Sequence, residues 1–237
     1  VSIVSISLTA LVLILDLERP ERFHYILTRS NWHSWMVWGA WFLTAHGALS
    51  AMWLIAGWLE RDGALAILAG PVAVAALLAT SYTGFLFAQG RARDLWQGPY
   101  PVVDLVAQSG AAGAAALLLA SFAVGESGAD ARLTLSAVLG ASLILHLAVL
   151  LIENVFTPSP TRHHECAVHT IRRGAFAKLF WGVAIAAGGV APLAFLASGL
   201  WTGAATSLIA AAALLALAGS AAWEYIWVEA GQSVPLS

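Results

Sequence analysis

Asp104 and Gln108 stand four residues apart, the spacing that puts two side chains on one face of a helix. A carboxylate beside a carboxamide can take up a proton, hand it on, or hold a polar ring oxygen. Glu153 and Asn154 sit together near the end of a second apolar run, and Glu224 and Tyr225 near the end of a third. Tyr82 lies about two turns inside a fourth. His46 and His146 are deeper, each eleven residues from the end of its run, or about 16 Å at a rise of 1.5 Å per residue. Equal depth suits two axial imidazoles of a b-type haem. It equally suits a proton relay, with Glu153 seven residues from His146 on the same helix face, or two imidazoles that merely bond neighbouring helices. His163, His164, Glu165, Cys166 and His169 gather ligand types in one loop, but their spacing is no standard zinc pattern. The reading is a partner-facing loop and no metal site.

These groups have to be carried by apolar helices. Of 237 residues, 60% are hydrophobic and only 10% are charged, with a mean hydropathy of +0.81. A soluble domain carries about 25% charged residues, so a solvated globule and a disordered tail are excluded. A net charge of −2 leaves no basic excess for nucleic acid. The single cysteine excludes an internal disulfide and a four-cysteine cluster. The composition describes an all-α polytopic membrane protein lying in a lipid bilayer, and the 11 Trp suit membrane–water interfaces. A bilayer core of about 30 Å takes about 20 helical residues. Seven runs meet or approach that length: 1–15, 35–59, 64–89, 102–125, 133–157, 179–199 and 202–225. The first is short and opens at Val1 in mid-run. The expectation is therefore a single integral-membrane domain over 1–237 that lacks a preceding helix.

Long connections (16–34, 90–101, 158–178 and the tail 228–237) alternate with short ones (60–63, 126–132 and 200–201). Because successive helices reverse direction, all the long connections share one face, and Tyr82, Asp104, Gln108, Glu153 and Glu224 lie one to two turns beneath it. Intramembrane ionisable groups mark pathways or sites. Small residues such as Gly110, Gly113, Gly182, Gly188 and Gly189 allow close helix packing. Of the 11 basic residues, only Arg61 and Arg132 fall on the short-loop side, which by the positive-inside rule puts the long loops in the cytoplasm.

Several ordered stretches point to a family. Asp16-Leu17-Glu18-Arg19-Pro20-Glu21-Arg22-Phe23 precedes Asn31-Trp32-His33-Ser34-Trp35-Met36-Val37-Trp38-Gly39-Ala40-Trp41. Tyr82-Thr83-Gly84-Phe85-Leu86 and Arg91-Ala92-Arg93-Asp94-Leu95-Trp96-Gln97-Gly98-Pro99 follow, then Phe180-Trp181-Gly182 and Ala230-Gly231-Gln232-Ser233-Val234-Pro235-Leu236-Ser237. Together they resemble the polysulfide-reductase membrane-subunit family of the NrfD/PsrC type, across essentially the whole chain. The resemblance implies eight helices in two four-helix bundles, seven of them present here. It implies a quinone-interacting anchor (menaquinone or ubiquinone) with no haem of its own, in a bacterial or archaeal cytoplasmic membrane. The implied partners are a ferredoxin-like iron–sulfur subunit and, behind it, a molybdopterin or other redox catalytic subunit. The family's best-known members carry that partner outside the cytoplasm, opposite to the charge rule, so the side stays open.

On that resemblance Tyr82 belongs to the quinone pocket, with Asp104 and Gln108 beside it. Glu153, His146, His46 and Glu224 continue a proton path, and Arg19, Arg22, Arg91, Arg93, Asp94 and Trp96 form partner-docking loops. With no redox-cofactor motif the chain is not a complete enzyme on its own. The alternatives are a secondary transporter or proton-conducting protein, to which Pro71 and Pro192 are weak pointers as helix interruptions, and a haem-b cytochrome subunit.

Overall fold

The computed structural model describes residues 1–124, 128–202 and 205–234, and among them every regular element is a helix. They form two compact units, Val1–Gln89 and Gly90–Ser237.

The first unit holds α1 (Ser2–Leu15), the short α2 (Tyr25–Thr28), α3 (Trp35–Trp58) and α4 (Asp62–Ala88). Here α3 and α4 pack along their length, and α1 lies on α3, joined by a Ser2–Ser50 hydroxyl contact of 3.4 Å. Only Ala75, Tyr82 and Gly84 of α4 are buried, while Ile67, Val74, Leu77, Leu78 and Phe85 face outward. An outward surface this apolar is at home only against lipid. Pro71 is absorbed within α4, which runs through it.

The second unit holds α5 (Tyr100–Val124), α6 (Ala129–Leu151), α7 (Arg162–Arg172), α8 (Ala191–Thr202) and α9 (Ala205–Ser233). Two segments wound with wider π turns, Ile152–Phe156 and Leu179–Val190, extend α6 and lead into α8. The second ends just before Pro192, whose ring nitrogen has no hydrogen to give and whose ring crowds the carbonyl four residues back. The core repeats at helical spacing: Ala111, Ala114, Ala115 and Leu118 of α5 meet Ile209, Ala212, Ala213 and Ala216 of α9, with Leu139 and Leu143 of α6 and Leu196 of α8. Alanine on both faces lets the backbones approach closely. Gly188 and Gly219 meet backbone to backbone, Gly189 packs under Leu147 and Gly110 against Ser142, whereas Gly113 and Gly182 face open space. Packing therefore accounts for three of the five small residues singled out above.

Among the described residues six helices are long and apolar enough to cross a membrane, against the seven runs read from sequence. The seventh run is α1, a helix of 14 residues, about 21 Å long at 1.5 Å per residue and shorter than a bilayer core.

A buried acid–imidazole cluster as the candidate functional site

The faces that form the core of the second unit continue toward its loop end, and there their chemistry changes. On α5 the buried positions run Asp104, Ala107, Gln108 and Ala111. On α6 they run Leu139, Leu143, His146 and Leu150, then Glu153 in the π segment. On α9, Trp223, Ile226 and Trp227 follow Ala216. Each helix keeps its inward face while aliphatic residues give way to polar ones, so the polar groups meet without any special loop.

Asp104 is the hub. Its Oδ1 lies 2.6 Å from Nδ1 of His146. Its Oδ2 accepts from Nε2 of Gln108 at 3.0 Å and from the indole N–H of Trp223 at 2.8 Å. Asp104 is 5% exposed and His146 3%, so the pair is removed from solvent, where its hydrogen bonds are charge-assisted and strong. Glu153 and Glu224 line the same small cavity as Asp104, Gln108 and Trp223. Its volume is about 10 Å³, at the lower edge of what one water needs. Gln108 Oε1 is buried there without a hydrogen-bond partner, and Asn154 Oδ1 in the π segment is likewise unpartnered. Three carboxyl groups and an imidazole are thus gathered in one buried place. The chemistry on offer is proton uptake, storage and transfer.

Asp104, Gln108, His146, Glu153 and Glu224 thus converge. Tyr225 turns away and is 55% exposed. His146 meets Asp104, the fifth residue of α5, although it stands eleven residues before the end of its own run. Trp223 was missed altogether. A tryptophan near a helix end reads as an interfacial anchor, and only the buried period of α9 (Ala216, Trp223, Ala230) would have turned it inward.

Tyr82 and His46 belong to the first unit. The Tyr82 ring lies directly on Gly39, where a Cβ would overlap it. Two of the stretches quoted above, around Trp38-Gly39 and Tyr82-Thr83-Gly84, therefore meet at one spot. His46 is half-buried, with Nδ1 enclosed and unpartnered. Beside them Trp38 donates to the Trp32 carbonyl at 3.1 Å, and Trp35 stacks on Phe85 at 4.5 Å.

The residues read as partner-docking have different surroundings. Arg19, Arg22 and Arg91 are exposed or nearly so. Arg93, however, donates to the carbonyls of Gly231, Gln232 and Val234 at 3.3, 3.0 and 2.7 Å, closing the C-terminus of α9 as a cation should. Asp94 accepts from the Thr161 hydroxyl, and Trp96 covers Gly231. Thr161 also caps α7 by accepting from the His164 N–H at 3.1 Å, and His164 Nδ1 lies 3.0 Å from the Ser159 hydroxyl. Burial holds the His164 imidazole below the ordinary histidine value, with the Asp94 carboxylate pulling the other way. The long connections of this unit are thus bonded to one another at one end. Among the described residues no three His, Cys, Asp or Glu side chains are arranged to hold a metal ion.

Apolar helices with outward apolar faces and a buried, hydrogen-bonded acid cluster describe a multi-pass α-helical membrane protein with a polar group cluster in its second unit. A family model, polysulphide reductase NrfD, matches residues 1–235, and the chain belongs to that family. No curated protein matched it.

Proposed function

We propose that this chain is the quinone-binding integral-membrane subunit of a respiratory oxidoreductase complex in a bacterial or archaeal cytoplasmic membrane. It passes electrons between the quinone pool and a peripheral ferredoxin-like iron–sulfur subunit, which serves a molybdopterin or other redox catalytic subunit. The observation that carries the reading is the Asp104–His146–Trp223–Gln108 cluster, with Glu153 and Glu224 at its edge, in a chain of the NrfD family.

A quinone, menaquinone or ubiquinone, supplies a two-electron, two-proton couple. The cavity beside Asp104, about 10 Å³, admits no quinone ring. In this proposal Asp104 and Gln108 therefore act on the proton side rather than in direct contact with the ring. Tyr82, held against Gly39, offers a phenolic O–H to a quinone oxygen. Asp104 takes up a proton while Trp223 and Gln108 steady its other oxygen, and His146 shares the proton through Nδ1. Glu153 and Glu224 extend the path, and His46 with its unpartnered Nδ1 does so in the first unit. The long connections of each unit serve partner docking, with Arg19 and Arg22 in the first unit and Arg91 in the second available for acidic groups, and Arg93, Asp94 and Trp96 shaping the second unit's loops from within.

The test is native purification in mild detergent with mass spectrometry of the copurifying chains. An iron–sulfur subunit with a redox catalytic subunit supports the reading, and recovery of this chain without any redox partner overturns it. In the assembled complex, Tyr82→Phe lowers quinol-linked turnover and leaves assembly intact; unchanged quinol kinetics remove Tyr82 from the mechanism. A proton-conducting protein without redox partners is the second reading. It is favoured by Glu153 standing within a π segment, a device common at functional sites. Proton flux in proteoliposomes of the chain alone distinguishes it.

A further inference from the structure

A second cavity in the Gly90–Ser237 unit is unrelated to the acid cluster. It lies where α6 ends, between the turn 155–159 and one flank of α7, and has a volume of about 470 Å³. Phe156, Ser159, Glu165, His169, Arg172 and Arg173 are among its lining residues. We infer that it binds the phosphate headgroup of an anionic phospholipid, with Arg172 and Arg173 as the anion-binding groups.

Three observations carry this. The first is charge. Two guanidinium groups and one carboxylate, Glu165, are in the lining, and among the described residues neither arginine is in an ion pair. Guanidinium is the side chain best matched to phosphate oxygens. The second is level. The cavity opens directly beyond Phe156, the last residue of a membrane-long span and 72% exposed. The Arg172 carbonyl accepts the indole N–H of Trp181 at 3.1 Å, and Trp181 stands two residues into the next span, 41% exposed. The outward Trp181 marks the headgroup layer, and the exposed Phe156 ring gives acyl chains an apolar surface to follow downward. The third is size. The volume is about 470 Å³, where about 10–15 Å³ on the same measure holds one water. That far exceeds a bare phosphate ion and is enough for a glycerophosphate headgroup. Basic pockets at span ends are where such headgroups bind.

The experiment uses the full-length protein with whatever partners it retains, delipidated in mild detergent and titrated with phosphatidylglycerol or phosphatidylcholine under native mass spectrometry. Wild type is expected to take up phosphatidylglycerol in preference to phosphatidylcholine. Arg172→Gln with Arg173→Gln weakens that uptake roughly 25-fold, about fivefold for each guanidinium removed, while Arg162→Gln, on the same helix outside the cavity, leaves it unchanged. Should the double variant fail to assemble, Glu165→Gln removes the one opposing charge and is expected to tighten phosphatidylglycerol severalfold. Equal binding of the two lipids, a double variant that binds like wild type, or a Glu165→Gln protein with unaltered affinity overturns the inference. So does displacement of the lipid by millimolar inorganic phosphate, which would make this a site for the free anion.

Discussion

Trp223 donates to Asp104 at 2.8 Å from a position 1% exposed, so removing its N–H leaves a carboxylate one donor short where water cannot replace it. Trp223→Phe preserves most of the ring and deletes the donor. A hydrogen bond to a charged group contributes about 1.5–3 kcal/mol. The variant is therefore expected to be less stable by roughly that amount, read as a lower thermal midpoint in detergent, and an unchanged midpoint would show that Asp104 does not depend on the indole. Asp104 and Gln108 were legible from their i, i+4 spacing, and His146 and Glu153 as ionisable groups in an apolar run. The indole was not, because tryptophan is equally favourable at an interface and its burial is decided by neighbouring helices. The same limit applies to Arg93: a basic residue in a loop reads as a docking group, and only the fold brings it to the carbonyls of a helix end 138 residues away.

Helix existence followed from hydropathy and length, but the winding of those helices did not. Apolar sequence has the same composition in an α or a π turn, so the segments Ile152–Phe156 and Leu179–Val190 carry no compositional signal beyond Pro192. Small residues were legible as a class, yet which of them matter depends on the partner helix. Gly188→Ala sets a Cβ against the Gly219 backbone, which cannot yield as a side chain would. Overpacking of this kind costs about 1–3 kcal/mol, so the thermal midpoint should fall. Gly182→Ala faces open space and should leave stability unchanged or raise it by about 0.5–1 kcal/mol through reduced backbone freedom; equal effects at both positions would refute the close contact. The α7 element has its own pH signature. His164 holds its proton less tightly when folded than the ordinary value of 6.5, so the unfolded segment binds the proton first as pH falls. The stabilisation is complete above 6.5 and is lost as pH drops through the lowered folded value. The amide protection factors over 162–172, observed rates corrected for intrinsic exchange at each pH, should therefore fall between pH 7.5 and 5.5 in wild type and far less in His164→Gln; identical acid sensitivity in both would assign the effect to another group.

At the scale of the molecule, the class was readable because composition alone decides between lipid and water as solvent, and the ordered stretches are those of the family the chain belongs to. Sidedness is the property on which two lines of reasoning collide. Within the Gly90–Ser237 unit, Arg91, Arg93, Arg162, Arg172, Arg173 and Lys178 lie in or beside the long connections, and only Arg132 lies near the start of α6. The positive-inside rule counts such short connecting segments and puts the long ones in the cytoplasm. Three of these cations have structural partners or a cavity to serve: Arg93 closes α9, and Arg172 and Arg173 line the pocket beyond α6. A charge fixed by the fold still resists translocation before folding, however, so the tally keeps its force. Cys166 allows a direct test, because it is the chain's single cysteine and is exposed on α7. The charge distribution predicts that a membrane-impermeant maleimide leaves Cys166 unlabelled in intact cells and labels it in inverted vesicles, with Cys166→Ser as the blank. Labelling in intact cells would instead put α7 outside. The basic residues around it would then have crossed the membrane against their own charge bias, and their retention would have to be explained by docked protein or lipid rather than by topology.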